Sequence, residues 1–482
     1  MGIKHTRRDF LKGMAAGATV AALVPISCKK ERNAGKKLPN IVILLADDLG
    51  YSDLGSFGSQ EIQTPSLDRL GSQGATFTSF YAAAPNCSPS RAGLLSGRIP
   101  ARTGIYNYIR TSPGYVDPQY LPSSEITISR ILKESGYDTC HVGKWHLNRD
   151  PGETSLPQPV DFGFDHSFGT ANNAIPNHKN PTNYFRNGQS VGELEGYSCD
   201  LIVKEAKDWI GSREDKNKPF FLYACFHESH TPYNAPEDKI AKHLPEGREP
   251  SKGELNRAKY NACIENMDAA IGRLLDYLDR NGLSENTFIL FFSDNGSVFP
   301  ASNGPLRGTK SSLWEGGIRV PGIICWPGNI SGGRSIEEPV SAVDILPTLC
   351  GMTGISIPAD RPIDGQDIQA LFKGGRIKRE TPLFWYFYRH LDEPNAALRD
   401  GEWVLLGYHE KTDLEWSHPL NSEWMEWLKK GQLVRFELYN TAADLKQDND
   451  LRHREPERFE RMKQQMIDIH RSVAAEGPVW NF

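Results

Sequence analysis

No stretch of this 482-residue chain offers the roughly 20 consecutive apolar residues that a bilayer-spanning helix needs. Neither sign of charge dominates: 55 Lys and Arg stand against 60 Asp and Glu, for a formal net charge of −5. Beyond the N-terminus there is no long basic run, so the electrostatic footprint of a nucleic-acid surface is missing. No internal repeat or low-complexity tract stands out, which excludes solenoids and fibrous arrays. Cysteine is sparse, with eight residues, and one disulfide or none is expected. Cys225 and Cys325 sit inside apolar, strand-like runs where a small buried hydrophobe belongs. What remains is an ordinary globular balance, 38% hydrophobic and 24% charged, long enough for one large domain plus a smaller one.

The first 28 residues read as a targeting segment. Thr6-Arg7-Arg8-Asp9-Phe10-Leu11-Lys12 precedes an apolar run from Met14 to Leu23, the pattern of a twin-arginine export signal. Ser27-Cys28 closes it, ahead of Lys29, Lys30 and Glu31, and Cys28 resembles a lipoprotein acceptor site with Pro25 in place of the usual Leu. The expected location is the periplasm of a bacterium, or its membrane surface through a lipid anchor. Twin-arginine export carries chains folded in a reducing cytosol, which again disfavours disulfides.

Ile41-Val42-Ile43-Leu44-Leu45-Ala46 is apolar without alternation, as a strand buried on both faces of a parallel sheet should be. Thr287 to Ser293 repeats the pattern. The first run ends in Asp47-Asp48 and the second in Asp294-Asn295, an abrupt change from core to acid at the strand ends where open α/β sheets bind ligands. Such oxygen donors without a cluster of Cys or His favour Ca²⁺ or Mg²⁺ over zinc. Further strands are expected at Phe77–Tyr81, Tyr137–Gly143, Pro219–Phe226 and Ile323–Trp326. Helices are expected over Ile126–Gly136, Leu201–Ile210, Tyr260–Leu278 and from about Asp344. From Thr381 the texture changes to short aromatic strands, Phe384–Tyr388, Ala396–Leu406 and Phe436–Tyr439, and then a helix over Pro456–Ser472. Residues 38–378 are therefore expected to form a large α/β domain with a mixed, mostly parallel sheet between helices, and residues 379–482 a small C-terminal antiparallel sheet plus helix. Most aromatics there are expected in the core, with the loop tryptophans Trp416, Trp424 and Trp427 open as sugar platforms.

Asn86-Cys87-Ser88-Pro89-Ser90-Arg91-Ala92-Gly93-Leu94-Leu95-Ser96-Gly97-Arg98 reads as a helix start, with Ser88 as N-cap, Pro89 at the first helical position and Gly97 as the stop. Cys87 then lies at a helix mouth, which favours an anion, and Arg91 adds a positive fork one turn in. Lys144 and His146, beyond the Tyr137 strand, share one side if strand alternation continues.

Cys-x-Pro-Ser-Arg followed by Leu-Leu-Ser-Gly-Arg resembles the signature of type I sulfatases. The resemblance spans nearly all of the chain after residue 28. It implies an alkaline-phosphatase-like fold, oxidation of Cys87 to formylglycine as the nucleophile, and a calcium ion held by Asp47, Asp48, Asp294, Asn295 and the modified Cys87. Gly-Lys-Trp-His supplies Lys144 and His146, the histidine before Thr-Pro is His230, and the lysine ahead of Glu-Gly-Gly is Lys310. With Arg91 these are the implied catalytic residues. The stretch Ser302-Asn303-Gly304-Pro305 to Trp314-Glu315-Gly316-Gly317 is similar to the N-acetylgalactosamine-6-sulfatase branch. A sulfated saccharide or aryl sulfate is the implied substrate and a formylglycine-generating enzyme the implied partner. Phe162 to Gly169 and the polar loop that follows to Gly196 are expected as substrate-facing insertions, with His166, His178 and Asn172 in them and His227 beyond them as candidate substrate contacts. Two other readings stay open: a phosphatase or phosphonate monoester hydrolase of the same superfamily, and an inactive glycan-binding surface lipoprotein.

Overall fold

Ile41 to Leu45 are buried whichever way they point, so β1 (Asn40–Ala46) fits only at the centre of a sheet covered on both faces. The computed structural model describes residues 37–111, 118–388, 393–412, 414 and 420–481. The export pattern, Cys28 and Trp416 lie outside them. β1 is joined by β2 (Ala75–Tyr81), β3 (Asp138–Lys144), β4 (His166–Thr170), β5 (Tyr184–Arg186), β6 (Gln189–Gly192), β7 (Phe220–Cys225), β8 (Thr287–Ser293), β9 (Arg319–Cys325), β10 (Arg334–Ile336) and β11 (Val340–Ser341). Their order is β10-β2-β9-β8-β1-β7-β3-β4-β5-β6, with β11 on β2. The run β8-β1-β7-β3-β4 is parallel, so five strands finish at one rim. β9 runs antiparallel to β8 and β2 and starts at that rim.

Alternation along β1 splits the core in two. Ile41, Ile43 and Leu45 join Ile128, Leu132, Leu346 and Leu349 of the Ile128–Glu134 and Ile345–Thr353 helices. Val42, Leu44 and Ala46 join residues of the Ser198–Ser212 and Lys252–Arg280 helices, among them Ile202, Ala206, Ile264, Met267 and Leu274. The longer helix opens on a capping box between Ser251 and Glu254. A second, antiparallel sheet follows, in the order β12 (Leu383–Tyr386), β13 (Ala396–Asp400), β14 (Trp403–His409) and β15 (Leu433–Asn440). The Pro456–Glu476 helix lays Met462 and Met466 on its Leu398, Leu405 and Leu438.

Three expectations change. Ala396–Leu406 is not one strand but a hairpin, turned at Gly401 with φ 61°. Trp424 and Trp427 lie on a helix, Ser422–Lys430, capped by the Asn421 side chain; Trp424 is core, and Trp427 meets it edge-on with centroids 5.3 Å apart. The polar stretch after Phe162 extends the main sheet as β4 to β6 rather than standing off it as a loop.

Gly143 in β3 has φ 100°, and a Cβ there would stand 1.8 Å from the Cys225 carbonyl oxygen of β7. No L side chain relieves both conditions at once. Gly143→Ala is therefore expected to cost on the order of 2–4 kcal/mol in urea unfolding. An unchanged midpoint would contradict this packing.

Candidate active site

Ala46 pairs with Ser293, so the next residues, Asp47 and Asp294, leave the sheet side by side. The Asp294 amide still donates to the Ala46 carbonyl at 3.0 Å and the Asp47 amide to the Glu228 carbonyl at 3.0 Å. Asp48 then turns into the left-handed region, φ 64°, which brings its amide to Asp294 Oδ1 at 3.4 Å and its Oδ1 to Asn295 Nδ2 at 2.8 Å. Asp47, Asp48, Asp294 and Asn295 all meet in one buried cluster.

Cys87 arrives from β2 through residues 82–86. Its helix runs Cys87–Ser96 and starts two residues before Pro89, because Asn86 rather than Ser88 is the N-cap, its side chain accepting from the Cys87 amide at 2.8 Å. Pro89 still falls in the first turn, where its missing N–H costs nothing, and Gly97 closes the helix with φ 68°. Cys87 Sγ is buried 3.6 Å from Asp47 Oδ1, and Lys310 Nζ reaches it at 3.3 Å.

Three cations match the three carboxylates. Lys144 Nζ donates to Asp47 Oδ2 at 2.6 Å, Lys310 Nζ lies 2.7 Å from Asp48 Oδ1, and Arg91 sets Nε and Nη2 on Asp294 Oδ2 at 3.0 and 2.8 Å. Arg91 Nη1 donates to the Lys144 carbonyl at 2.8 Å. The Arg91 fork thus points inward to protein groups, where the sequence reading had it facing an anion; pairing with a buried acid outweighs an outward pose. Burial works to raise the Asp47 carboxyl, but Lys144, His230, Arg91 and Lys310 together hold it well below the usual range. Burial and the adjacent Asp47 push Asp294 up to about 6 against the pull of Arg91. Burial also pushes the Cys87 thiol up to about 12, with the two lysines opposing.

The histidines separate by their partners. His230 Nδ1 donates to the Thr231 carbonyl at 2.6 Å, leaving Nε2 to face Asp48 Oδ2 at 3.6 Å. Its side chain is 17% exposed and that of Lys310 14%, so these two stand at the mouth while Asp47 and Arg91 form the floor. Burial and Lys310 lower the His230 pKa. His146 has φ 57°, so alternation stops at the end of β3 and does not set its direction. His146 Nε2 lies 2.8 Å from the Ile109 carbonyl; a carbonyl only accepts, which assigns the proton to Nε2 and leaves Nδ1 a bare acceptor with no partner among the described residues. Asn172 lies just past β4, beside the Ala171 carbonyl that accepts from the His146 amide, and its Oδ1 likewise lacks a described partner.

The other candidates stand elsewhere. His166 opens β4, at the far end from the rim, and pairs with Glu205 at 2.9 Å. His178 is buried with Nδ1 3.6 Å from Cys263 Sγ. His227 is buried between Thr170 Oγ1 and Ser198 Oγ, each at 2.7 Å, and braces strand ends without reaching the mouth. Sequence reasoning missed the groups behind the acids. The Tyr260 hydroxyl reaches the Asp48 carbonyl at 3.1 Å, Ser297 Oγ at 2.9 Å and the Asp53 carboxylate, and Asn303 Oδ1 accepts from the Ser297 amide at 3.0 Å. Tyr260 reads only as one more apolar position of a helix, so no local signal marks it. The seven described cysteines are free thiols.

The donor set fits a hard divalent cation. Asp47, Asp48, Cys87 and His230 each offer an atom within 4.8 Å of the others, and Asn295 Oδ1 is buried with no partner among the described residues. An acid cluster under a helix mouth at the rim of this mostly parallel sheet is a candidate metal site in an alkaline-phosphatase-like fold. The chain belongs to the sulfatase family, the sulfuric ester hydrolases: the family profile "Sulfatase" matches residues 39–355, and "N-sulphoglucosamine sulphohydrolase, C-terminal" matches 309–426. It is 35% identical over 373 residues to N-acetylgalactosamine-6-sulfatase of Canis lupus familiaris, covering 72% of this chain and 68% of that one. It is 30% identical over 435 residues to steryl-sulfatase of Rattus norvegicus, covering 73% of each. Among solved structures, Ps i-CgsB in complex with k-i-k-neocarrahexaose superposes with TM-score 0.76 at 27% identity, over 92% of this chain and 94% of that one.

Behind the floor, burial raises the Glu228 carboxyl from 4.5 to about 7. A carboxyl raised in the fold holds its proton where the unfolded chain has lost it, so stability falls as pH rises from about 4.5 to about 7 and the penalty is complete above that. Glu228→Gln removes it. Relative to wild type, the variant is expected to gain on the order of 3 kcal/mol between pH 4 and pH 8 in urea unfolding. A difference that stays constant with pH would refute the assignment.

Proposed function

We propose that this protein removes sulfate from sulfated saccharides, with position 87 as the seat of the nucleophile. The observation that carries the reading is the meeting of Cys87, three carboxylates and two lysines at one helix mouth. Family chemistry supports carrying Cys87 as formylglycine, whose hydrate supplies one hydroxyl to attack sulfur and a second whose loss of a proton expels sulfate. Asp47, Asp48, Asp294 and Asn295, with His230 and position 87 close by, would hold Ca²⁺, and the ion when bound supplies charge neutralisation at the sulfate oxygens. The oxidised side chain offers oxygen where the thiol offers sulfur, which suits a hard ion better.

The chain's own residues do the rest. Lys144 and Lys310 grip sulfate oxygens, while Arg91 fixes Asp294 and the Lys144 backbone and so positions both. The three carboxylates and three cations cancel, so a bound divalent cation would leave the site net positive and suited to the monoanion of a sulfate ester. His230, at the mouth, protonates the leaving oxygen through Nε2. A pKa lowered by burial and Lys310 makes its imidazolium a strong acid, and an anionic ester beside it favours proton uptake on binding. His146, with Nδ1 bare, takes the proton that regenerates the aldehyde. The buried thiol, at about 12, is a poor nucleophile itself and closed off by the fold, which supports oxidation by a formylglycine-generating enzyme before folding ends and, on the twin-arginine reading, before export. Saccharide substrates are supported by a relative named N-acetylgalactosamine-6-sulfatase and a neighbour solved in complex with k-i-k-neocarrahexaose.

Cys87→Ala is expected to keep the wild-type melting curve and lose more than about a thousandfold in sulfate release. Mass spectrometry of the peptide around position 87 should show the aldehyde in active protein; a thiol there would overturn the covalent route. Dialysis against a chelator should abolish turnover and added Ca²⁺ restore it. The rival phosphoester reading is separated by sulfate and phosphate esters of one phenol, and the inactive glycan-binding reading by sulfated glycan bound without release.

A further inference from the structure

An aromatic wall that the catalytic groups do not use stands beside the mouth of the site. Tyr233, three residues after His230, is half-buried. Its ring meets Tyr260 edge-on, with centroids 5.9 Å apart and planes at 84°, and lies 6.4 Å from Phe299 at 32°. Phe299 meets Tyr260 at 4.9 Å. Tyr260 is the residue that reaches the Asp48 carbonyl, so the wall is anchored to the acid cluster. The Arg257 guanidinium lies over Tyr260 and Phe299, at 5.2 and 5.4 Å from their centroids, which stiffens the wall from the side. Val298, next to Phe299, is 43% exposed. Burial raises the Tyr233 hydroxyl well above its usual range, with the Asp48 carboxylate adding to it and Lys310 opposing. The hydroxyl has no hydrogen bond among the described residues.

We infer that Tyr233 and Phe299 form the platform for the leaving group, against which a pyranose ring of the sulfated saccharide lays its apolar face. This rests on the sulfatase reading and names the substrate contact within it. The side of the site decides the role: the acid that protonates the leaving oxygen must stand next to the leaving group, and the wall continues from His230 rather than from Lys144 or His146. The form of the wall decides the ligand. A sterol or long alkyl group buries most of its surface in an enclosed pocket. Here the aromatic surface is one-sided and half-exposed, and Arg257 and Ser302 border it, hydrogen-bonded to each other. An amphipathic ring stacks on such a surface and keeps its hydroxyls in water. The free Tyr233 hydroxyl can donate to one of them.

The test separates binding from turnover. In full-length protein carrying Cys87→Ala, which cannot turn over, methyl galactopyranoside 6-sulfate, N-acetylgalactosamine 6-sulfate and dodecyl sulfate are titrated by calorimetry, with saturation-transfer NMR on the sugars. At least one pyranoside is expected to bind, with its strongest saturation on one ring face. Tyr233→Ala and Phe299→Ala should each weaken it about tenfold or more, and Tyr233→Phe by less than about threefold, because the ring remains. Tyr233→Phe also guards against misfolding as the cause, together with unchanged melting curves. Binding that ignores both alanine variants, preference for dodecyl sulfate, or no binding of either pyranoside overturns the platform. Sulfate release is measured separately in protein with Cys87 intact. Wall-dependent binding without any release would uphold the platform and refute the sulfatase reading. Release with wall-independent binding would do the reverse.

Discussion

Three carboxylates buried at the ends of adjacent strands are the constraint that organises this molecule. An isolated buried carboxylate costs several kcal/mol in lost hydration. A partner at 2.6–2.8 Å, the spacing seen for Asp47, Asp48 and Asp294 with Lys144, Lys310 and Arg91, returns on the order of 6 kcal/mol at an effective dielectric of about 20. The two terms nearly cancel while the pairs are intact and leave a large deficit when one member goes. The cluster therefore adds little to stability and a great deal to the specification of one arrangement, since any fold that separates an acid from its cation is penalised. Its cations come from the second turn of the Cys87–Ser96 helix, the end of β3 and the loop before β9, so satisfying the acids also fixes where these three segments sit.

The strand register does the aiming. Ala46 opposite Ser293 brings Asp47 and Asp294 close enough that each raises the other's cost of ionising, and the inward fork of Arg91 is what makes that proximity tolerable. The same division separates floor from mouth. Arg91, Lys144 and Asp47 are sealed from solvent and cannot rearrange cheaply, whereas His230 and Lys310 keep some exposure. The two groups that line the opening are the ones water can reach, and the pairs that hold the acids in place are not.

Much of this was legible because core strands and hard acids are both extreme in composition. Ile41–Ala46 and Thr287–Ser293 read as buried parallel strands, and the acids after them fell together as the strand ends required. The Cys87 helix was legible from Gly97 and Pro89, but its cap was misassigned by two residues because Asn86 and Ser88 are both good caps and only the fold chooses. Direction was the blind spot. Nothing in the spacing says that Arg91 turns inward, that His146 leaves strand geometry, or that His166 belongs to the wrong end of β4. His166 lay in a stretch read as loop, so its register on Cys140 and its distance from the rim stayed hidden. Trp424 and Trp427 misled for a related reason: tryptophans in a polar stretch resemble a platform until a short capped helix turns one into the core and lays the other half-buried against it.

The residues that sequence reasoning could not find are those whose work is to hold a backbone atom. Tyr260 bonds the carbonyl of Asp48, and Asp53 and Ser297 share its hydroxyl. Asp48 needs this support because its left-handed conformation is one a non-glycine residue adopts only at a cost. That conformation turns the second acid of an adjacent pair onto the same cluster as the first, where extended backbone would point it to the opposite face. The carboxylate pair thus depends on a tyrosine more than 200 positions away, on a helix that packs the other face of the sheet. A second-acid site built this way cannot be moved or lost piecemeal: weakening the Tyr260 contact would release Asp48, strand Lys310 without its carboxylate, and open the mouth that His230 shares with both.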